Sequence, residues 1–402
     1  MGMRFSPGMD ISGYVIVGKE LSNGANATSY KAQDKDGGYV FLKNYKSPSC
    51  RVSWYNDYIA YQNELKRRIE QSEILTGQTC RFLKFFEYRN SEGVSSYCQT
   101  FEFLEGGENL KTLLENSELT WLQRFTFAKL LMTGIRCLHK AGIIHADLKP
   151  DNIYLIPDDD IETKYSFRII DFDRSLLSDR TAPWDGMEGY AGTPRYFSPE
   201  HTGKRIPSEA SDVFTAGIIL CELLSRNGHP FSSDWEEYEN QITSFQCKPF
   251  VLRGSSGSSA KDALLEKAIG AALNPMPEKR PTAAQLHEIL KGKLTALTIP
   301  ISGTLILLGP EKQSIRINVS SEIGREVLKA NGFGDETRFC ASSQFFLQKE
   351  DNFWKIIPKA ETPNTTLLNG TVLKSSVSLN VGDVISIGSN KSCKTILPMT
   401  VI

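Results

Sequence analysis

Residues 143–153 read Ile143-Ile144-His145-Ala146-Asp147-Leu148-Lys149-Pro150-Asp151-Asn152-Ile153, and residues 169–173 read Ile169-Ile170-Asp171-Phe172-Asp173. A polar cluster sits between two apolar runs, each short enough to be a buried strand end. Asp147, Lys149, Asn152 and Asp171 are therefore expected around one cleft. Two carboxylates, one amine and one amide are the groups needed to hold a divalent cation and a triphosphate beside a nucleophilic hydroxyl.

The 402 residues suffice for two or three folding units at roughly 100–200 residues each. The content of 40% hydrophobic and 23% charged residues is that of an ordinary globular chain, and a net charge of −1 supplies no global basic field. No nucleic-acid or membrane partner is expected, and Lys66-Arg67-Arg68 reads as the solvated face of a helix. The eight cysteines, Cys50, Cys80, Cys98, Cys137, Cys221, Cys247, Cys340 and Cys393, contain no C-x-x-C pair. They read as buried free thiols of a reducing compartment. There is no signal-peptide-like apolar core at the N-terminus and no run near the roughly 18 apolar residues of a membrane span, so a cytoplasmic location is expected. The five histidines show no metal-ligand spacing and read as structural or surface residues.

Along the chain, strands are predicted at 14–17, 29–32, 39–42 and 97–103, with a helix over 57–75 whose Ile59, Leu65, Ile69 and Ile74 share one side. Helix signals then dominate. Trp121 to Lys140 forms a long helix closed by Gly142, residues 154–156 and 167–170 flank an aspartate-rich hairpin tip, and 210–224 and 260–273 read as further helices. Beyond residue 300 the helix signal nearly vanishes. Segments 304–308, 314–319, 345–347, 354–357 and 384–387 read as short strands of a β-sandwich.

The order Asp147-x-Lys149-x-x-Asn152, followed by Asp171-Phe172, resembles the catalytic core of eukaryotic-like Ser/Thr protein kinases. The resemblance implies an α+β chain. A two-lobed kinase fold spans residues 1–295 (N-lobe about 10–104, C-lobe about 105–295), and a C-terminal all-β module spans 302–402. It implies transfer of the ATP γ-phosphate to protein Ser/Thr hydroxyls, with Mg²⁺ as the cation and Mn²⁺ as an alternative. Asp147 would orient the hydroxyl and accept its proton, Lys149 would neutralise the γ-phosphoryl, and Asn152 and Asp171 would hold the metal. Lys43, ending the apolar strand Val40-Phe41-Leu42, would grip the α- and β-phosphates. Its carboxylate partner is expected from the first helix: Glu64, 21 residues on, with Glu70 as the alternative. Gly24 would sit in the phosphate-covering loop, where Ser22 and Ala27 replace the family's outer glycines. Glu102 to Leu104 would form the hinge facing adenine, with Phe101 as gatekeeper. Thr193, in Gly192-Thr193-Pro194, would contact Asp147 and Lys149.

Two positions depart from the family. Ala146 replaces the arginine that usually pairs with a phosphorylated activation loop, so activity without phosphate at that pocket is expected. Asp173 replaces the glycine after Asp171-Phe172. A catalytically silent scaffold of the same fold is the competing expectation, and transfer of AMP rather than phosphate is a third.

In the last hundred residues, Gly324-Arg325, Asn364 to Gly370 and Leu379 to Gly388 resemble the forkhead-associated (FHA) family, which binds phosphothreonine peptides at one end of a β-sandwich. The resemblance implies Arg325 as the phosphate clamp and Asn364 as the holder of the peptide backbone. Ser342 or Ser343 would supply the hydroxyl, although the family's histidine is missing from Cys340 to Phe345.

Overall fold

The computed structural model describes residues 3–24, 26–46, 52–186, 193–299, 301, 304–311, 313–350, 353–388 and 395–401. The chain divides into two compact units: Met1–Pro275 with Thr282–Thr295, and Ala296–Ile402 with Met276–Pro281.

The first unit begins with an antiparallel sheet. Its strands are β1 (Val15–Ile16), β2 (Ser22–Asn23), β3 (Ala27–Gln33), β4 (Tyr39–Tyr45), β5 (Phe82–Arg89) and β6 (Ser95–Glu102), in the order β1-β3-β4-β6-β5 with β2 on β3. Alternation along β4 sets its two faces. Val40 and Leu42 join Phe5, Ile11, Ile16, Tyr30 and Ala32 in an outer core. Phe41 and Lys43 point the other way, into a cleft. Strand β5 carries no period-2 signal in Phe-Leu-Lys-Phe-Phe-Glu-Tyr-Arg. It pairs with β6 through a register shift between Phe82 and Lys84.

The helix expected over 57–75 is two helices, α1 (Tyr55–Glu70) and α2 (Glu73–Gln78). Ser72 takes an extended backbone and its hydroxyl accepts the Leu75 N–H, so it starts a new helix instead of continuing the old one. The inward side of α1 is Tyr58, Tyr61, Gln62, Leu65 and Ile69, whereas Ile74 is exposed. The predicted apolar side is thus corrected.

The helical part follows with β7 (Glu108–Asn109), α3 (Leu110–Asn116), α4 (Trp121–Lys140), β8 (Ile143–Ile144), β9 (Ile153–Pro157), β10 (Tyr165–Ile169) and β11 (Leu176–Leu177). Helix α4 starts at a capping box between Thr120 and Gln123. Strands β9 and β10 pair as the expected hairpin. Helices α5 (Pro199–Thr202), α6 (Glu209–Leu224), α7 (Trp235–Ser244), α8 (Ser259–Ala272) and α9 (Ala283–Leu290) complete the unit. Helix α6 is buried on nearly every side, and it carries Asp212 in its first turn.

The second unit is rich in strands. Its two antiparallel sheets run 305–308, 314–317, 365–368, 371–372, 384–388 and 395–401, and 321–323, 345–349, 354–358 and 377–378. One apolar cluster takes residues from both, including Leu305, Ile317, Phe345, Trp354, Ile385 and Met399. A helix at Arg325–Ala330 interrupts the strands where none was expected. It starts at Gly324, where a Cβ would run into the Ser342 carbonyl oxygen, so only glycine fits.

No helix among the described residues is long and apolar enough to cross a membrane. The six described cysteines are free thiols, five of them buried and Cys247 half-buried; Cys50 and Cys393 lie outside the described residues.

Candidate active site

The cleft under the sheet has a volume of about 580 Å³, within the usual range for small-molecule sites. Phe41, Phe101, Phe103, Leu104 and Tyr154 give it an apolar wall, Glu102 also lines it, and Lys43, Asn152 and Asp171 make its polar end. Strand β4 delivers Lys43 from above, and the turn after β10 delivers Asp171 from below. The two meet with Lys43 Nζ 2.7 Å from Asp171 Oδ1. Asp171 holds φ +68°, a left-handed angle that aspartate tolerates better than most residues.

Beside them, Lys149 Nζ donates to Asp147 Oδ2 at 2.9 Å, and Asn152 Nδ2 donates to the Asp147 carbonyl at 2.8 Å. The loop that carries them is braced from below by Asp212. It accepts the backbone N–H groups of His145 (2.8 Å) and Ala146 (2.9 Å) and lies 3.0 Å from His139 Nε2. These contacts hold Ala146 at φ +62°. His145 is fully buried with its ring 5.0 Å from Phe172.

A family model for the protein kinase domain matches residues 15–290. The chain belongs to the protein kinase family. Calcium-dependent protein kinase 5 of Oryza sativa subsp. japonica is 28% identical over 291 residues, 71% of this chain and 48% of that protein. A probable LIM domain-containing serine/threonine-protein kinase of Dictyostelium discoideum is 26% identical over 288 residues, 71% of this chain and 27% of the relative. The calcium and calcium/calmodulin-dependent serine/threonine-protein kinase of Oryza sativa subsp. japonica is 30% identical over 197 residues, 48% of this chain and 36% of its own. The chain spans less than half the length of these relatives.

The cleft brings Lys43, Asn152 and Asp171 together, and several other residues singled out from sequence lie elsewhere. Glu64 does not reach Lys43. It binds Arg67 at 2.7 Å and Arg68 at 2.8 Å, and these hydrogen bonds hold its carboxyl well below the usual range. Glu70 pairs with Lys66 at 3.4 Å. Both acids lie off the inward face of α1, which includes the buried Gln62 but no carboxylate. The second carboxylate on Lys43 is instead Asp173, at 2.8 Å. The sequence had exposed it only as a departure from the glycine.

Gly24 sits at the exposed β2–β3 turn, beside Ser22 and Ser29 of the cleft lining but not itself part of it. Its carbonyl accepts from Lys46 Nζ at 2.6 Å, which ties the turn to the end of β4. Thr193 is half-buried ahead of the turn at 194–196 and makes no hydrogen bond to Asp147 or Lys149 among the described residues. Gly192 lies outside those residues.

Burial opposes charge throughout this site, and partners decide the outcome. Burial works against the Lys43 ammonium, but Asp171 and Asp173 raise it above its ordinary value. Burial would lift Asp171, yet Lys43 holds it low. For Asp147, burial wins over Lys149 and the carboxyl is raised. The residues fit a hard cation. Asn152 commits its amide nitrogen to Asp147, leaving the amide oxygen for the cleft, and Asp171 keeps Oδ2 without a hydrogen bond among the described residues.

In the C-terminal unit, two of the four residues expected to bind phosphopeptide, Arg325 and Asn364, donate to the backbone of 338–340. Arg325 donates through Nε to the Cys340 carbonyl at 3.0 Å and through Nη2 to those of Cys340 (2.8 Å) and Arg338 (3.3 Å). Asn364 Nδ2 donates to the Phe339 carbonyl at 2.8 Å. Ser342 is exposed, while the Ser343 hydroxyl is bound to Glu322. Gln344 is fully buried and joins the Asn364 carbonyl (2.8 Å) to Thr366 (3.1 Å).

Proposed function

We propose that the chain is a Ser/Thr protein kinase that passes the ATP γ-phosphate to serine and threonine hydroxyls of protein substrates. The observation that carries this reading is the Lys43–Asp171 contact of 2.7 Å at the polar end of an apolar cleft. Next to it lies the hydrogen-bonded group Asp147, Lys149 and Asn152.

In this reading, the apolar wall from Phe41 to Leu104 takes the adenine, with Glu102 and Leu104 at the hinge. Lys43 draws in the α- and β-phosphates. Asn152 and Asp171 hold Mg²⁺ or Mn²⁺, which when bound supplies positive charge to the phosphate oxygens. Asp147 orients the incoming hydroxyl and takes its proton at a carboxylate oxygen. Lys149 neutralises charge gathering on the transferred group, and Thr193 assists at the substrate side. Chemistry here is mostly positioning and electrostatics, because the loose phosphoryl transition state needs little covalent help. The free thiols support a cytoplasmic setting.

The test compares γ-labelled with α-labelled ATP on a generic protein substrate, with and without EDTA. Label from the γ-form alone, on serine and threonine and lost with EDTA, is expected. Label from the α-form would replace the reading with nucleotidyl transfer. No label from either would leave the scaffold reading, which the replaced loop glycines favour.

For the C-terminal unit the proposal is an FHA-like sandwich that binds phosphothreonine segments of partners or of the chain itself. Arg325 and Asn364 converging on one loop support it, as does Arg325 Nη1, which has no hydrogen bond among the described residues. Arg325→Ala should weaken phosphothreonine-peptide binding by about tenfold or more, the scale of a lost charge-assisted pair. Transfer to a generic peptide should stay near wild type. Equal peptide affinity in fluorescence anisotropy would mean that the phosphate pocket lies elsewhere.

A further inference from the structure

Resting on the kinase reading, we infer that Asp173 is the positioning residue for Lys43, doing what a helix glutamate does in ordinary protein kinases. In those enzymes the strand lysine must be paired with a carboxylate from the first helix before the phosphates are correctly held. Here the helix has none to offer. The inward residues of α1 are Tyr58, Tyr61, Gln62, Leu65 and Ile69, none of them acidic. Of the acids on α1, Asp57 is exposed, Glu64 is taken by Arg67 and Arg68, and Glu70 by Lys66.

The missing charge reappears at position 173. An ammonium has three donors. Lys43 gives one to Asp171 Oδ1 at 2.7 Å and one to Asp173 Oδ2 at 2.8 Å, which leaves one for a phosphate oxygen. Asp173 is itself fixed, since its Oδ1 lies 2.7 Å from the Tyr45 hydroxyl. Tyr45 stands two residues beyond Lys43 on the same face of β4, so one strand supplies both groups that grip the carboxylate. The Asp173 side chain is 14% exposed against 36% for Asp171. The division of labour follows: the more open Asp171 is left for the cation, and the deeper Asp173 holds the lysine.

Gln62 completes the picture. It is buried, and its Nε2 has no hydrogen-bond partner among the described residues. It lies one helical turn after Tyr58, on the side of α1 that packs on Tyr97 of the sheet. An amide there cannot supply the negative charge that a glutamate would. Because the lysine's partner comes from beside Asp171 and not from α1, Lys43 is held whatever the position of that helix. This uncouples the phosphate grip from the helix movement that commonly switches kinases.

The full-length chain tests this with Asp173→Asn, Asp173→Gly and each combined with Gln62→Glu. Mg-ATP affinity is read by calorimetry, kcat and KM by transfer to a generic substrate, and folding by thermal melting. Asp173→Asn should weaken Mg-ATP binding and raise the KM for ATP by about tenfold, the equivalent of one lost charged contact. Asp173→Gly should do the same although it restores the family's residue. Gln62→Glu should return both variants to within about threefold of wild type, which a purely structural role for Asp173 would not predict. If Asp173→Asn fails to fold, Tyr45→Phe, which loosens Asp173 alone, should raise the KM for ATP in the same direction by a smaller factor. Unchanged affinity and KM in the folded position-173 variants, or no recovery with Gln62→Glu, overturns the inference. In the Tyr45→Phe arm, an unchanged KM does so. A wild-type chain that binds Mg-ATP yet transfers nothing, with the same loss and recovery of binding, sinks the kinase reading and leaves this one standing. A wild-type chain with no ATP affinity sinks both.

Discussion

Asp147→Ala should lower the phosphoryl-transfer rate by about 10³-fold, within the span expected for a positioned general base. The KM for ATP should change by no more than about threefold, because Asp147 touches Lys149 and Asn152 but not Lys43. A split of this kind separates loss of the hydroxyl's partner from loss of the nucleotide grip. The pH profile of the wild type gives a second check. Burial, only partly offset by Lys149, raises the Asp147 carboxyl above the usual range. The ionised form is the one that accepts a proton, so kcat should fall as pH drops through that raised value, earlier than an ordinary aspartate would allow. The stability consequence has the opposite sense. A folded-state pKa above the unfolded one means that ionising Asp147 works against folding, with no cost below the unfolded value and the full cost above the folded one. A variant that retains more than a tenth of wild-type kcat would remove Asp147 from the proton-accepting role.

Asp212→Ala should destabilise the kinase unit by about 3–5 kcal/mol, the usual result of deleting one side of a buried charged network. The lost carboxylate leaves the His145 and Ala146 N–H groups and His139 without their acceptor inside the protein. Activity should fall with it, since the loop bearing Asp147 loses its brace. The effect has a predictable pH dependence. Burial alone would raise the Asp212 carboxyl, but the hydrogen bonds from His139 and from the His145 backbone N–H bring it below the ordinary value. A depressed folded-state pKa contributes stability that is complete above the unfolded value, roughly 4, and is lost as pH falls through the folded one. Denaturant titrations of wild type and variant should therefore diverge most near neutrality and converge in acid. A gap that is under about 1 kcal/mol at pH 7 would contradict a buried brace of this kind.

The chemistry of the cleft was legible because it is written locally. Asp147, Lys149 and Asn152 lie within six residues, and Asp171 follows one hairpin later, so their spacing survives any tertiary detail. The helix from Trp121 to Lys140 was equally plain, since Thr120 and Gln123 cap its start and Gly142 follows its end. Other elements left weaker marks. The strand at 395–401 contains Pro398, normally unfavourable inside a sheet. It is accommodated where the pairing with 384–388 shifts register and Leu397 takes φ +51°. The helix at Arg325–Ala330 is six residues long, too short for a periodic signal.

The amino-acid order alone picked out the polar groups that meet in the cleft and the strand that brings the lysine. Only the folded chain decided what that lysine binds. Counting along α1 finds the nearest glutamate, Glu64, but two residues turn a side chain by about 200° around a helix axis, away from the cleft. The inward place falls to Gln62, and the negative charge arrives from Asp173, 130 residues away from Lys43 in the chain and 2.8 Å away in space. Ion pairs form between whatever groups the fold brings within reach, and no spacing rule on one helix could have found a partner on a different loop.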